Sequence, residues 1–313
     1  MFSVFTTGST SNCSFLMKEL INLGVSLQGY QYTRKEHTVQ ETNTLVDEFS
    51  KAQADIFIFT KEEQLTRSLL LKLKKVSPRT KFIMWYGDQR GYIVPEIIKE
   101  RKNLLSALLI TNADRQQFKI YNNFGISNVF SFYHAFSPEE FFPRPEVKEK
   151  YTVFFGGNNF KHGKFPLSKF RLDFITEVNK KFKTVVYGAG WPFGAKQAVS
   201  RPDYAKVICS AKLNLGVNHY DVVRYYDRRL FESMATGKLH ITRYIPGMEK
   251  DFVNHKNIVW FNSIEEGIDQ IGYYLKNDKE RSKIGAQAAC LMHKYHAWNT
   301  RAIQFVNIVK TIL

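Results

Sequence analysis

The chain has 313 residues, of which 44% are hydrophobic and 15% aromatic, enough for packed cores and long enough to favour two domains. Its three cysteines (Cys13, Cys209 and Cys290) are odd in number and far apart, which argues against a disulfide framework or a zinc motif. No apolar run approaches the length of a membrane span and no basic segment marks a secretion signal. We therefore expect a cytoplasmic protein without a transmembrane segment.

The net charge of +16 is distributed unevenly along the chain. Residues 1–145 carry 18 Lys and Arg against 14 Asp and Glu, a net +4, whereas residues 146–313 carry 27 against 15, a net +12. A nucleotide-sized ligand accounts for only a few of these charges. The surplus predicts a polyanionic partner such as DNA, an anionic polymer or an anionic membrane face. The alternative is a basic surface that binds nothing.

Strands and helices alternate through the first half of the chain. The predicted strands are residues 1–5, 25–30, 55–59, 81–86, 105–110 and 129–133. The predicted helices are residues 15–23, 42–52, 62–76, 95–101 and 115–122. No hairpin dipeptide joins the strands, so the alternation predicts a parallel sheet with helices on both faces. We expect a Rossmann-like domain over residues 1–145.

A charged, proline-containing segment, Phe142 to Lys150, is the predicted linker. A second alternation follows it. The predicted strands are residues 153–155, 184–187, 212–217, 239–242 and 258–261. The predicted helices are residues 167–182, 202–210, 230–236, 248–252 and 264–275, with two or three more over 279–313. The sequence thus predicts an α/β protein with a second Rossmann-like domain over residues 151–298.

The segment that follows the strand at 212–217 has the character of an anion site. Its loop ends at Asp227, the predicted N-cap of a short helix that Gly237 closes. A helix N-terminus at the carboxyl edge of a sheet offers free N–H groups and partial positive charge. Arg224, Arg228 and Arg229 add full charges. The other interpretation is a buried helix whose glutamate pairs with a neighbouring arginine.

Residues of this helix form an R-x-F-E-x-x-A-x-G pattern, made by Arg229, Phe231, Glu232, Ala235 and Gly237. The pattern resembles the C-terminal domains of group 1 glycosyltransferases of the CgeB type. The resemblance implies a GT-B fold, in which two Rossmann-like domains face a cleft and a C-terminal helix, about 299–313, crosses back to the N-terminal domain. It further implies an acceptor domain followed by a nucleotide-sugar donor domain. In that family the glutamate binds the ribose and basic groups hold the diphosphate.

Further donor-site residues follow from the same resemblance. The turn Gly156-Gly157 is similar to the first glycine turn of the family's donor domain, and Arg171 matches an arginine often found after it. The segment Tyr187 to Trp191, which includes Gly188, is similar to a Y-G-x-G-W motif of the family. Trp191 is equally consistent with ordinary core packing. The complete donor-binding prediction comprises Gly156, Gly157, Lys161, Lys164, Arg171, Tyr187, Gly188, Trp191, Arg224, Arg228, Arg229 and Glu232. In many retaining relatives a second glutamate lies eight positions before the first, and here that position is Arg224.

The acceptor side is predicted from the first domain. Asp88 follows the fourth strand, at the edge where a doubly wound sheet binds ligands, and could accept a proton from an acceptor hydroxyl. Together with Arg229 it forms the predicted catalytic pair, although an aspartate after a glycine is also a common turn residue. Gly8, Ser9 and His134 also follow strands and are the remaining acceptor-side candidates.

A site without a metal is expected, because the eight histidines form no metal-ligand spacing and the chain contains no D-x-D motif. Arginine, lysine and helix dipoles would neutralise the diphosphate instead. The sequence predicts no cofactor and a UDP-sugar as co-substrate.

The predicted enzyme is therefore a metal-independent glycosyltransferase, a hexosyltransferase acting on a hydroxyl acceptor. Hydroxymethylated DNA, the substrate of phage DNA-modifying glycosyltransferases, is one candidate for a polyanionic acceptor. A non-catalytic nucleic-acid or polymer-binding protein on a degenerate GT-B scaffold is the alternative.

Overall fold

Two parallel sheets organise the chain. A computed structural model describes residues 2–7, 11–31, 38–62, 64–88, 91–160, 164–197 and 199–313, without the side chains of 11–13 and 201–202. The described chain divides into two compact units. The first contains Met1–Tyr133 and Trp298–Leu313, and the second contains His134–Ala297. The predicted α/β class with two Rossmann-like sheets is confirmed.

The first unit contains a six-stranded sheet in the order β2-β1-β3-β4-β5-β6, in which every pairing is parallel. The strands are β1 (Ser3–Thr7), β2 (Ser26–Tyr30), β3 (Ile56–Phe59), β4 (Lys81–Tyr86), β5 (Ala107–Ile110) and β6 (Val129–Ser131). The strand order reverses between β1 and β3. Ligands of doubly wound sheets bind beyond the carboxyl ends of the strands at such a point.

Helices cover both faces of this sheet. They are α1 (Ser11–Asn22), α2 (Val39–Ala52), α3 (Arg67–Val76), α4 (Glu96–Arg101), α5 (Arg115–Asn123) and the terminal α11 (Trp298–Ile312). The core beneath α2 and α3 is aromatic, with Phe57 meeting the rings of Phe49 and Phe82 edge to face at 5.2 Å. As predicted, the terminal helix belongs to this unit, where Gln304 Nε2 donates to the Ser131 carbonyl at 2.8 Å.

The second unit contains a five-stranded parallel sheet in the order β11-β10-β9-β7-β8. The strands are β7 (Tyr151–Gly156), β8 (Thr184–Tyr187), β9 (Ala211–Gly216), β10 (Leu239–Arg243) and β11 (Val259–Phe261). The helices are α6 (Ser168–Lys181), α7 (Arg201–Cys209), α8 (Arg228–Ala235), α9 (Ile264–Lys276) and α10 (Asp278–Tyr295). Because all strands are parallel, their carboxyl ends lie at one edge and their amino ends at the other.

Several boundaries differ from the sequence predictions for local reasons. The second unit begins at His134 rather than after the predicted linker, because residues of that linker pack within it. Pro143, for example, lies against Gly237. The helix predicted from Glu62 begins only at Arg67, where the Thr66 hydroxyl caps it by accepting from Leu69 N. The helix predicted at 248–252 is a single 3₁₀ turn, Met248–Lys250.

Candidate functional site

The candidate site lies at the carboxyl edge of the second unit's sheet, where α8 begins. Asp227 caps this helix as predicted, since its Oδ1 accepts a hydrogen bond from Leu230 N at 3.1 Å. The helix then buries residues 230–235 and is followed by Gly237 at φ +74°, a left-handed conformation that glycine adopts without strain. The N-terminal turn of α8 is thereby fixed beside the ends of β7 and β9.

Two glycine turns meet at this edge. Gly157 follows β7 and its N–H donates to the Tyr187 carbonyl at 2.7 Å, while the Trp191 indole N–H donates to the Gly157 carbonyl at 2.9 Å. A Cβ atom at Gly188 would lie under 3.0 Å from the Gly157 backbone. The close approach of the two turns therefore requires glycine at position 188.

Arg229 is held beneath the first turn by three contacts. Its Nη1 donates to the Gly156 carbonyl at 2.8 Å, its Nε donates to Asp227 Oδ2 at 3.2 Å, and its Nη2 forms an ion pair with the same carboxylate. Burial alone would raise the pKa of Asp227, but the Arg229 guanidinium lowers it to about 2. Burial likewise acts against the charged form of Arg229, but Asp227 raises the pKa of Arg229 above its ordinary value. Both groups are therefore ionised at neutral pH.

Arg171, on α6, lies directly behind the Gly157 backbone and is only 1% exposed. Its Nη1 donates to the Val217 carbonyl and its guanidinium stacks over the Phe155 ring at 4.7 Å. Its Nε and Nη2 have no hydrogen-bond partner, and it forms no ion pair, among the described residues. Burial, and then the neighbouring Arg229, hold the pKa of Arg171 well below its ordinary value. A buried cation without a carboxylate of its own is costly, and an anion would relieve that cost.

Glu232 is the buried acid of the site, with a side chain only 1% exposed. The Arg228 Nε lies 3.1 Å from Glu232 Oε1, one turn earlier on α8. Tyr204, on α7, lies near this carboxylate. Burial raises the pKa of the Tyr204 hydroxyl, and the negative charge of Glu232 raises it further.

A pocket of 220 Å³ opens over these residues. It is lined by Gly156, Gly157, Asn158, Tyr187, Gly188, Val199, Tyr204, Arg228, Arg229 and Glu232. Sites for whole drug-sized ligands usually measure about 300–1,000 Å³, so this volume suits part of an extended ligand. Its walls combine a helix N-terminus, glycine amides, two arginines and a buried carboxylate, which is the chemistry of a phosphorylated, hydroxyl-bearing ligand.

The structure brings together most, but not all, of the predicted donor residues. Seven of them line the pocket (Gly156, Gly157, Tyr187, Gly188, Arg228, Arg229 and Glu232), and Arg171 lies behind it. Trp191 supports the turn through its indole N–H and packs against Phe155 at 5.5 Å, the core role that the sequence left open.

Arg224 and Lys164 are engaged elsewhere. Arg224 makes a bidentate ion pair with Asp251, with Nε–Oδ2 and Nη2–Oδ1 distances of 2.7 and 2.5 Å, and does not line the pocket. Lys164 Nζ lies over the Phe160 ring at 4.7 Å. Lys161 lies outside the described residues.

The predicted acceptor residues are more dispersed. Asp88 follows β4 and forms an ion pair with Lys61, its side chain 37% exposed. His134 is the first residue of the second unit rather than the last of the first. Gly8 and Ser9 lie outside the described residues.

The sequence reading missed Glu62, a carboxylate at the switch point of the first sheet. Its Oε2 accepts from the Thr7 hydroxyl at 3.1 Å and its Oε1 from the Thr60 hydroxyl at 3.3 Å, so it joins the ends of β1 and β3. Burial, which outweighs these hydrogen bonds, raises its pKa. A perturbed carboxylate at a ligand-binding edge is a candidate for acid–base chemistry. Only the strand order, which puts Thr7 beside Glu62, could have indicated it.

The described residues contain neither a metal-binding cluster nor a membrane-spanning helix. No group of three or more His, Cys, Asp or Glu side chains there is arranged to hold a metal ion. No helix there is both long and apolar enough to cross a membrane.

The chain is similar to known proteins both in sequence and in structure. Residues 169–307 match the family model described as glycosyl transferase-like. Anabaena HepE in complex with UDP and glucose has a similar structure, with a TM-score of 0.68 and 10% identity over 99% of this chain and 100% of that chain. Sucrose-phosphate synthase from Thermosynechococcus elongatus gives a TM-score of 0.68 at 8% identity over 99% of both chains.

T4 phage BGT in complex with UDP and Mn²⁺ is also similar, with a TM-score of 0.62 and 12% identity over 98% of this chain and 99% of that chain. A comparison with curated protein sequences gave no significant match. The structural similarities confirm the predicted GT-B fold.

Proposed function

We propose that this chain, which has a GT-B fold and whose residues 169–307 match the glycosyl transferase-like family model, is a glycosyltransferase that transfers a hexose from a UDP-sugar to a hydroxyl acceptor. The match to the glycosyl transferase-like model and the fold shared with HepE and sucrose-phosphate synthase support the enzyme class predicted from the sequence. The choice of UDP is supported by the complexes of Anabaena HepE with UDP and with UDP-glucose.

The observation that carries the donor proposal is the charge beneath Gly157. Arg228 is balanced by Glu232 and Arg229 by Asp227, but Arg171 has no ion pair among the described residues. The pocket floor therefore carries one uncompensated positive charge in a region of low dielectric. A diphosphate bound against the Gly156-Gly157 amides and Arg229 would supply the missing anion.

Glu232 is assigned to the ribose. Its carboxylate is buried, is fixed by Arg228 and lies in the wall of the same pocket as the glycine turn. A carboxylate accepts hydrogen bonds from two neighbouring hydroxyl groups, which is what a ribose presents. The ribose would thus fix the distance between the base and the diphosphate.

The arginines would act on the leaving group. As the bond between the anomeric carbon and the phosphate oxygen breaks, the electron pair stays on the phosphate and its negative charge grows. Arg229, with the α8 N-terminus, stabilises that charge more in the transition state than in the ground state, which accelerates the reaction. We propose that these cations make a divalent metal unnecessary, although T4 phage BGT was crystallised with Mn²⁺.

We propose that the acceptor hydroxyl is bound by the first unit. Asp88 and Glu62 are two carboxylates at the carboxyl edge of its sheet that could accept the hydroxyl proton. The net charge of +12 in residues 146–313 supports a polyanionic acceptor, and DNA carrying hydroxymethylated bases is the specific candidate.

A panel of UDP-, GDP- and ADP-sugars tests the proposal. The purified chain in excess EDTA should be thermally stabilised by UDP-sugars. It should also release UDP slowly by hydrolysis, and Arg229→Ala should lower that rate by about 100-fold. Stabilisation without sugar release would favour the non-catalytic binding protein. A requirement for added metal would exclude the metal-independent mechanism.

A further inference from the structure

A row of lysines crosses the second unit's sheet at its amino edge. Leu239 of β10 pairs with Leu213 of β9, so Lys238 and Lys212, one residue earlier in each strand, lie side by side. The same register continues into β7, where Val153 pairs with Leu213 and Thr152 is therefore level with Lys212.

The row extends to both outer strands. Val153 also pairs with Thr184 of β8, which places Lys183 level with Thr152. On the other side Lys256 lies in the turn that precedes β11, where its N–H donates to the Val253 carbonyl at 3.2 Å. The strands β8, β9 and β10 thus present a lysine at one level, and Lys256 precedes the amino end of β11. The remaining strand, β7, presents Thr152 and, two residues earlier, Lys150. We call Lys150, Lys183, Lys212, Lys238 and Lys256 the lysine row.

Most of this charge is not neutralised by the protein. Lys238 forms an ion pair with Glu149 at 2.7 Å, whereas the other four form none within the described residues. Lys150, Lys183 and Lys256 are exposed, and Lys212 and Lys238 are half-buried. The last turns of α6 and α9 add Lys181 and Lys276, whereas Lys180 forms an ion pair with Glu177 at 2.6 Å.

Tyr151, which follows Lys150 in the chain, reports a positive local potential beside the lysine row. The Lys196 Nζ donates a hydrogen bond of 2.9 Å to the Tyr151 hydroxyl. This bond lowers the pKa of Tyr151 by more than burial raises it. The charges of Lys150 and Lys183 lower it further. A surface that stabilises phenolate also stabilises phosphate.

The row is distinct from the donor pocket. The pocket lies at the carboxyl ends of β7 and β8, and the row lies at the amino ends of the same strands. Neighbouring strands are about 4.8 Å apart, so the row extends across roughly 19 Å from β11 to β8 and follows the twist of the sheet. One strand of duplex DNA carries a phosphate about every 3.4 Å along the helix axis, so a row of this length spans about five or six phosphates.

We propose that the lysine row binds the sugar–phosphate backbone of duplex DNA. The binding is independent of base sequence, because lysine ammonium groups contact phosphates as point charges and carry no base-reading geometry. It needs no nucleotide-sugar and therefore does not depend on the proposed activity. If DNA is also the acceptor, the row holds the polymer on the enzyme while a separate part of it is modified.

Salt-dependent binding of a fluorescent 30-base-pair duplex tests this proposal. The row variant combines Lys150→Gln, Lys183→Gln, Lys212→Gln and Lys256→Gln. The matched control combines Lys72→Gln, Lys75→Gln, Lys119→Gln and Lys250→Gln, which removes the same charge from other exposed positions. Each lost phosphate contact lowers the slope of log K against log salt by about 0.9. The row variant should therefore lose a slope of about 3 to 4 and bind at least tenfold more weakly than the control.

Three results would overturn the proposal. The first is an equal loss of DNA affinity in the row variant and in the control. The second is the absence of duplex binding by the native protein at low salt. The third is binding to anionic phospholipid vesicles in place of DNA. Circular dichroism and UDP titration of each variant establish that the donor unit is folded. A protein that binds UDP but not DNA refutes this inference alone, and one that binds DNA but not UDP refutes the donor site alone.

Discussion

Arg171 and Arg229 converge on one point of the backbone: a Cβ atom at Gly157 would lie under 3.0 Å from a guanidinium nitrogen of each. The two cations come from different elements, α6 and α8, and only Asp227 forms an ion pair with either of them among the described residues. This local excess of positive charge is held in place by buried packing, so it is present before any ligand arrives. Preorganised charge of this kind needs no rearrangement when an anion binds.

Gly157→Ala should therefore damage donor binding without unfolding the chain. The added methyl group must displace one or both guanidinium groups, and the φ of +153° at this position disfavours any residue with a Cβ. We expect UDP affinity to fall at least tenfold. Gly272→Ala is the matched control, because a Cβ there meets nothing within 4 Å. Equal UDP affinity in the two variants, measured by calorimetry, would contradict the assigned position of the diphosphate.

Glu232→Ala should raise the donor KM about tenfold or more with a smaller effect on kcat, because the ribose contact is made equally in ground and transition states. A second measurement separates this role from a general loss of structure. The native enzyme should discriminate against a 2′,3′-dideoxyribose analogue of the donor, and the variant should not. Undiminished discrimination in Glu232→Ala would show that this carboxylate does not contact the ribose.

The pH dependence of kcat/KM should distinguish the two carboxylates of the first unit. Burial raises the pKa of Glu62, so a reaction that needs Glu62 as base loses activity as the pH falls through a value above that of an exposed glutamate. Glu62→Gln should then abolish this acid limb together with most activity, whereas Asp88→Asn should preserve the limb. An acid limb that survives in Glu62→Gln and disappears in Asp88→Asn would assign the base to Asp88.

Acid should destabilise the second unit through His240. This side chain is 3% exposed, its Nδ1 lies 2.9 Å from the Ser233 hydroxyl, and burial lowers its pKa from 6.5 to about 4. Between these values the unfolded chain binds a proton that the folded chain does not, so stability falls as the pH drops from 6.5 to 4. The full effect is roughly 3 kcal/mol.

Urea unfolding at several pH values measures this effect. His240→Gln keeps a hydrogen-bonding group beside Ser233 but does not titrate, so its free energy of unfolding should fall less steeply over this window. The remaining slope includes His219, whose pKa burial lowers to about 3. Parallel curves for the two proteins would refute the burial of a neutral His240.

The sequence predicted the strands, the N-cap of α8 and most of the residues that line the pocket, because these depend on local pattern and short motifs. The sequence did not indicate interactions between residues that are distant from each other in the chain. Arg224 was assigned to the donor, but its partner Asp251 lies on the turn after β10. Glu62 was placed inside a helix, because nothing local indicates that Thr7 of β1 lies beside it. The lysine row was equally hidden, since its alignment exists only once the strand register is known.

The most direct test of the donor site is calorimetric titration of UDP and UMP into the native chain and into Arg229→Ala. The two ligands differ only in the second phosphate, which is the group that the arginines are assigned to hold. We predict that the native chain binds UDP at least tenfold more tightly than UMP and that Arg229→Ala loses most of this difference. Equal affinities for the two nucleotides in the native chain, or an undiminished preference for UDP in Arg229→Ala, would contradict the account.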